Sequence, residues 1–396
     1  MKSISAGSLG PSGPDPLRKP AGEWPKAYTL QVDDSLLEIR SRENAENSPL
    51  LRLPPELRIK IFEYVLGGHT IHVEQLSQTA SVALRKHNVW VSLGLYNELC
   101  QSAESEDEAY KRFQDPSQDS SKAHTTFFAP KNRRDLGRNY YVEPWSTRHL
   151  ACGREPNPRR LRLELESWLQ RPRFSCAALR TCRQIYAETR CIAYAQNTFC
   201  FRSASSFQTF ALSLRQEQTR AIQHLNLLVG VGTAPFSNAR ARSWVHALRL
   251  HSIVRWLGSL KSLELSVEAY INTADPHMPR KPKFEQFYEV LQLPDGSPTS
   301  WMAQLSSLCR RKNCVVKVMV ADDPWSAWGA EGKVQYCRDY RFNDSEWRLR
   351  RAIGSLTITE KKEFAGKIEE LLRTADDRWR VLLRDVSGSK QHPDSD

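Results

Sequence analysis

The sequence predicts a mixed α/β fold. A helix and a β-hairpin at the N-terminal side pack on a short, irregular stack of helix–strand units whose strands are leucine-rich-repeat-like. Three observations carry this reading. Helical and strand patterns alternate over residues 173–322, as parallel α/β units require. Two of the strand segments share apolar-x-x-apolar-x-apolar spacing: "IQHLNL" with Ile222, Leu225 and Leu227, and "LKSLEL" with Leu260, Leu263 and Leu265. Finally, "LPPELRIKIFEYVLGG", Leu53 to Gly68, reads as one bounded helix.

That helix begins at the prolines, since Pro55 suits a first helical position where the missing N–H costs little. Gly67 and Gly68 end it by permitting a left-handed turn. Leu57, Ile61, Phe62, Val65 and Leu66 share one face; Leu57, Ile61 and Val65 are expected in the core, with Phe62 nearer the edge of the stripe. Two β-prone runs follow, His69–Glu74 and Asn88–Tyr96, and are expected to pair as a hairpin with a long connection. From 98 to 172 the sequence is polar and rich in charge, Pro and Arg, and reads as a largely disordered insert, in which "YYVEPW" and "LRLELESWL" are the segments expected to order against the core.

Order is expected to resume near Ser175, a candidate helix cap. Leu179, Cys182, Tyr186, Thr189 and Ala193 form one stripe of the helix that follows, and "NTFCF" turns the chain into a strand. Helices near 205–214, 241–258 and 299–311 then lead to strands at 222–229, 260–267 and 313–320. The third strand keeps only the spacing, through Val316 and Val318. After a Trp-rich segment a C-terminal helix is expected, capped by Thr359 and striped by Phe364, Ile368, Leu371 and Leu372. The divisions are a disordered tail (1–47), helix plus hairpin (48–97), insert (98–172), α/β stack (173–322), Trp-rich segment and C-terminal helix (323–386), and a disordered end (387–396).

No catalytic, cofactor or metal site is expected. Cys176, Cys182, Cys191 and Cys200 lack any CxxC pair and read as small hydrophobes. His69 and His72 fall on opposite faces of a strand. Gly230 and Gly232 make a partial GxG, but Pro235 stands where a dinucleotide fingerprint needs its third glycine. There is no GxxxxGK[ST] loop and no GxSxG elbow.

The net charge is +12, with 57 Lys and Arg against 45 Asp and Glu, and basic clusters lie at Lys131–Arg138, Pro158–Arg162, Arg280–Lys283 and Cys309–Lys312. Such clusters suit phosphate contacts, so a weak nucleic-acid association is one alternative. They fall in separate segments, and solvated surface is the plainer reading. No run of about 20 apolar residues is present, and nine cysteines in a chain of this size read as reduced thiols, so an intracellular protein of cytoplasm or nucleus is expected, without membrane contact.

The segment from Ser48 through Leu53, Pro54, Pro55, Glu56, Leu57, Ile61 and Phe62 resembles the opening of an F-box. With "TCRQIYAE" and "NTFCF" it is similar to fungal F-box-like proteins of unknown function, in which an LPPELR opening precedes such a helix and strand. The resemblance implies a non-enzymatic interaction module, a substrate-receptor-like subunit that meets the adaptor of a cullin ubiquitin ligase. The residues expected to meet a partner are Pro54, Pro55, Ile59 and Phe62. The chain departs from an F-box in that more than a hundred residues separate Leu66 from Leu179. A stand-alone scaffold without ligase contact is the alternative.

Overall fold

A computed structural model describes residues 34–76, 95–115 (save 103), 161–232, 235–249, 257–270, 282–292 (save 289), 298–309, 314–322 and 356–374, together with isolated positions that include 149 and 152. The chain divides into two units, 1–58 and 59–396. In the first, helix α1 spans Asp34–Asn47, inside the stretch read from sequence as a disordered tail. Beyond it, the Arg58 guanidinium donates to the carbonyls of Leu51 (3.0 Å) and Leu53 and is buried by doing so. Helix α2, Pro55–Leu66, runs from this unit into the next.

The second unit is built on a six-stranded sheet. Its strands are β1 (Thr70–Gln75), β2 (Leu95–Leu99), β3 (Thr198–Phe201), β4 (His224–Gly232), β5 (Ser262–Tyr270) and β6 (Val315–Asp322). They lie in the order β6-β5-β4-β3-β1-β2. β1 and β2 pair antiparallel and every other pairing is parallel. The expected hairpin is therefore present, with its second strand placed at Leu95–Leu99; residues 88–94 of that expectation lie outside the described residues. The two leucine patterns align across the sheet: Leu225 pairs with Leu263 and Leu227 with Leu265. The same rows continue through Val316 and Val318 on one side and through Phe199 and Phe201 on the other.

Those rows form the apolar face, because side chains alternate along each strand. Four helices pack on it: α7 (Ala204–Ser213), α9 (Pro235–Leu248), α10 (Trp301–Cys309) and α11 (Ile358–Arg373). Trp244 of α9 is buried against Phe207 of α7, and its indole N–H donates to the Leu228 carbonyl at 3.1 Å. Trp301 of α10 likewise donates to Phe287 at 2.8 Å. The stripe of α11 is as expected, with Phe364, Ile368 and Leu372 buried. Its cap is Thr357 rather than Thr359: the Thr357 hydroxyl accepts from the Glu360 N–H and the Glu360 carboxylate accepts from Thr357 N–H.

Two further expectations are corrected. The 98–172 stretch holds helix α3 (Glu106–Gln114), outside the segments expected to order, while α4 (Leu161–Leu169) falls on the expected "LRLELESWL". For α3 the acidic composition misleads. Ser105 and Glu108 form a reciprocal capping box, the acids fall in the first turn where the helix dipole favours them, and Ala109 and Phe113 are buried one turn apart. The stripe from Leu179 to Ala193 does not run as one helix. A 3-10 turn (Ala177–Arg180) breaks it, and α5 (Arg183–Thr189) starts afresh with Cys182 as its cap, followed by α6 (Ile192–Ala195). A short α8 (Gln216–Ala221) completes the helices of the stack.

The "NTF" segment holds α2 to the sheet. Asn197 has no exposed surface. Its amide donates to Leu66 O (2.5 Å) at the end of α2 and to Ala193 O (2.8 Å) on α6, and its carbonyl accepts from His69 N (2.8 Å) before β1. Gly68, at φ +75°, donates from its N–H to Gln196 O at 3.0 Å. Gly67 has no room for a side chain, since a Cβ there would lie 2.7 Å from the Glu63 backbone carbonyl oxygen and 2.9 Å from Gln196 Cβ. The two halves of the sequence resemblance thus meet at one junction.

Replacing Asn197 by Ala would leave two buried carbonyls and the half-buried His69 N–H short of a partner. Each unsatisfied buried group costs about 1–3 kcal/mol. The Asn197→Ala chain should lose roughly 2–4 kcal/mol of stability in urea denaturation, far more than Gln196→Ala, whose side chain makes a solvent-exposed bond to Glu63.

Candidate functional site

Two places on the molecule carry unusual chemistry, the outer side of α2 and the polar face of the sheet. On α2 the sequence pattern gives an apolar helix but not its orientation. The buried positions are Arg58, Phe62 and Leu66, while Leu57 (52%), Ile61 (39%) and Val65 (52%) are exposed. The helix is therefore turned by about 100°, one residue, from the Leu57–Ile61–Val65 line, and of the expected face Phe62 and Leu66 are the residues covered. Of the residues expected to meet a partner, Pro54, Pro55 and Ile59 are exposed, but Phe62 is buried at 4% and belongs to the core. The apolar residues that reach solvent are Ile61, Tyr64 (89%) and Val65, with Leu57 a turn earlier. The basic cluster Lys131–Arg138 lies outside the described residues.

The sheet's other face carries a row of polar side chains in register across all six strands. Glu98 of β2 pairs with His72 of β1, His72 with Cys200 of β3, Cys200 with Asn226 of β4, Asn226 with Glu264 of β5, and Glu264 with Lys317 of β6. The first five are buried. Most are matched by partners. Glu98 accepts from Arg171 at 3.1 Å and from Gln101 at 3.3 Å. Asn226 donates to Glu264 at 3.5 Å. Lys317 stands 3.9 Å from Glu264 and also pairs with Asp107 of α3.

His72 is the exception. It has no exposed surface, and among the described residues neither ring nitrogen has a hydrogen-bond partner. Burial holds its imidazole below the ordinary histidine value, hence neutral. Three metal-ligand side chains surround it: Cys100, just past the end of β2, and His149 and Cys152 from the 98–172 stretch. One ligand atom from each of the four lies within 4.8 Å of all the others. The His72 and His149 rings meet edge to face at 4.6 Å, and Cys100 Sγ lies 3.4 Å from His149 Nδ1. The neighbouring Cys100 thiol, then His149 and His72, push the Cys152 thiol down toward thiolate.

The surrounding contacts position this cluster. Glu106, at the start of α3, lies 2.7 Å from His149 Nε2. A proton on Nε2 donated to that carboxylate leaves Nδ1 as the lone-pair nitrogen facing Cys100. Ser102 N–H points at Cys100 Sγ at 3.4 Å. Cys152 N–H closes a turn onto His149 O at 3.1 Å, and Arg202 holds the Cys152 carbonyl at 2.9 Å. His72, Cys100, His149 and Cys152 could hold a metal ion, against the sequence expectation of none. His72 on the inner face and His69 at the strand's start do not act together. Of the four cysteines that seemed clustered in sequence, Cys176 and Cys191 are exposed, Cys182 caps α5 and Cys200 lies on the polar face. The available signal was "HLAC", a His-x-x-Cys pair at His149–Cys152.

A crevice opens beside the cluster. It is lined by His149, Cys200, Arg202, Ser266, Glu268 and Met319 among others. Among the described residues no helix is long and apolar enough to cross a membrane.

Residues 146–269 match a family described as a domain of unknown function (DUF7730). The match covers less than half of the chain and contains His149, Cys152, α5, Asn197 and strands β3 and β4. No curated protein matches the chain, and no solved structure matches it.

The Glu98–Arg171 pair tests the polar row. Removing the cation from a buried carboxylate costs about 3–5 kcal/mol, because a desolvated charge is left behind. Gln101 offers partial relief, so Arg171→Met should sit near the lower end, at about 3 kcal/mol. The double variant Arg171→Met/Glu98→Gln should recover much of that loss in the same denaturation series.

Proposed function

We propose that the chain is a non-enzymatic protein-interaction module of F-box-like type, which presents the outer side of α2 to the adaptor of a cullin-type ubiquitin ligase. One observation carries this reading: α2 shows Ile61, Tyr64 and Val65 to solvent while its opposite side is buried through Phe62 and Leu66. A helix needs one apolar side for its own core, and a second apolar side costs solubility unless a partner covers it. Tyr64 has the character of an interface anchor, a large aromatic with a polar tip and nearly full exposure. Pro54, Pro55 and Ile59 are also exposed and extend the docking surface toward the start of the helix.

The architecture around α2 differs from a three-helix F-box. The chain passes from Gly68 directly into β1, and α6 returns from far along the sequence to meet the end of α2 through Gln196 and Asn197. In this reading the sheet takes over the task of holding the docking helix. The stack then offers the remaining surface for a protein substrate.

Purified adaptor and full-length chain provide the test. Tyr64→Asp and Val65→Asp should each weaken adaptor binding at least tenfold by calorimetry, with the melting temperature of the chain little changed, because interface aromatics often dominate binding and both residues are exposed. Phe62→Ala should instead lower stability by about 3–5 kcal/mol, as truncation of a buried Phe does. Adaptor binding that is indifferent to Tyr64 and Val65 would sink the assignment of this surface. An intact chain that does not bind the adaptor leaves the scaffold reading in its place.

A further inference from the structure

We propose that His72, Cys100, His149 and Cys152 form a structural zinc site that fastens the 98–172 stretch to the edge of the sheet. The case begins with His72. A histidine with no exposed surface and no hydrogen bond on either nitrogen is costly, because a buried polar atom without a partner forfeits the hydrogen bonds it made to water. A metal ion is a partner that satisfies such a nitrogen.

The donor set fits zinc. Two thiols and two imidazoles are a tetrahedral Cys₂His₂ complement. With zinc–sulfur near 2.3 Å and zinc–nitrogen near 2.0 Å, tetrahedral ligand atoms lie about 3.3–3.8 Å apart. The Cys100 Sγ to His149 Nδ1 distance of 3.4 Å is already in that range, and all four atoms lie within 4.8 Å of one another. Soft thiolates with imidazole disfavour magnesium and calcium, which take oxygen.

The surroundings match those of a metal site. His149 is flanked by the Glu106 carboxylate on the nitrogen remote from the cluster, the arrangement that orients a metal-bound imidazole. The Ser102 N–H directed at Cys100 Sγ steadies a thiolate. His149 and Cys152 share one tight turn, as two ligands on a single knuckle do. Four protein ligands would fill the coordination sphere, and His72 and Cys152 are buried at 0% and 1% exposure, so no position stays open for water or substrate. The site is therefore structural rather than catalytic. It is independent of the α2 docking surface.

The test uses the full chain expressed in zinc-supplemented medium and passed through gel filtration. Mass-spectrometric metal analysis should find about one zinc per chain. Cys191→Ser, at an exposed thiol, should retain it, and Cys100→Ser/Cys152→Ser should lose at least tenfold. Because the double variant could fail to fold, the wild-type chain is also stripped with a chelator and reloaded with cobalt(II). The expected spectrum is the intense visible band of tetrahedral cobalt with near-ultraviolet thiolate charge transfer. Glu106→Gln should keep that spectrum while weakening zinc affinity about 10–100-fold. A folded wild-type chain with no stoichiometric metal overturns the proposal. So does a weak octahedral cobalt spectrum, or recovery of Cys100 and Cys152 as a disulfide.

Discussion

Asn197 makes three hydrogen bonds from a position with no solvent contact, and each bond goes to a different element. Leu66 O is the last carbonyl of α2, Ala193 O lies in α6, and His69 N leads into β1. An amide is suited to this because it donates twice and accepts through one oxygen. By holding the end of α2 against the start of β3, it fixes where β1 enters the sheet. β1 then pairs with β3 on one side and β2 on the other, and the rest of the N-terminal part follows from that placement. His72 reaches the polar face because Thr70 pairs with Thr198, and a slip of one residue would turn His72 into the apolar layer.

The sheet separates two kinds of chemistry. Its apolar face is a continuous layer under four helices, and this layer supplies the bulk of the stabilisation. The polar face carries acids, a lysine, an asparagine and a histidine, with α3 contributing Glu106 and Asp107 from above. Buried polar groups of this kind seldom improve stability over an apolar alternative, and they need every member to be matched. Salt bridges and amide contacts match most of the row. At His72 the match is the zinc ligation inferred above, and the single histidine without a partner and the single four-ligand cluster among the described residues coincide.

Much of the fold was legible in the sequence. The shared leucine spacing marks strands that lie side by side with those leucines in register, since identical units stacked in parallel align identical positions. The bounds of α2 followed from Pro55 and the glycine pair. Its orientation did not, because Leu57, Ile59, Ile61, Phe62, Tyr64, Val65 and Leu66 leave apolar residues on nearly every side. Periodicity shows that a stripe exists, and only packing decides which of two stripes is covered. Composition misread α3, although Ser105 and Glu108 stand at capping-box spacing before Ala109 and Phe113. The four-residue cluster was hidden for a different reason. Its members come from β1, the end of β2 and a distant turn, so only the His149–Cys152 pair is local, and long-range register brings the others together.

The junction at Asn197 has a consequence for how the chain can vary. His69 and Asn197 are 128 positions apart, so closing that loop carries an entropic cost of about 4 kcal/mol. The cost depends on the logarithm of length, and doubling such a loop adds only about 0.6 kcal/mol. Between fixed points such as Cys100, Glu106, His149, Cys152 and Trp168, the intervening stretches can lengthen or shorten at little energetic expense. A long polar segment here is a cheap place for insertions to accumulate, whereas a single deletion between Gly67 and Thr70, where the N–H groups of Gly67, Gly68 and His69 and the carbonyls of His69 and Thr70 are hydrogen-bonded, would shift the register of the whole N-terminal edge.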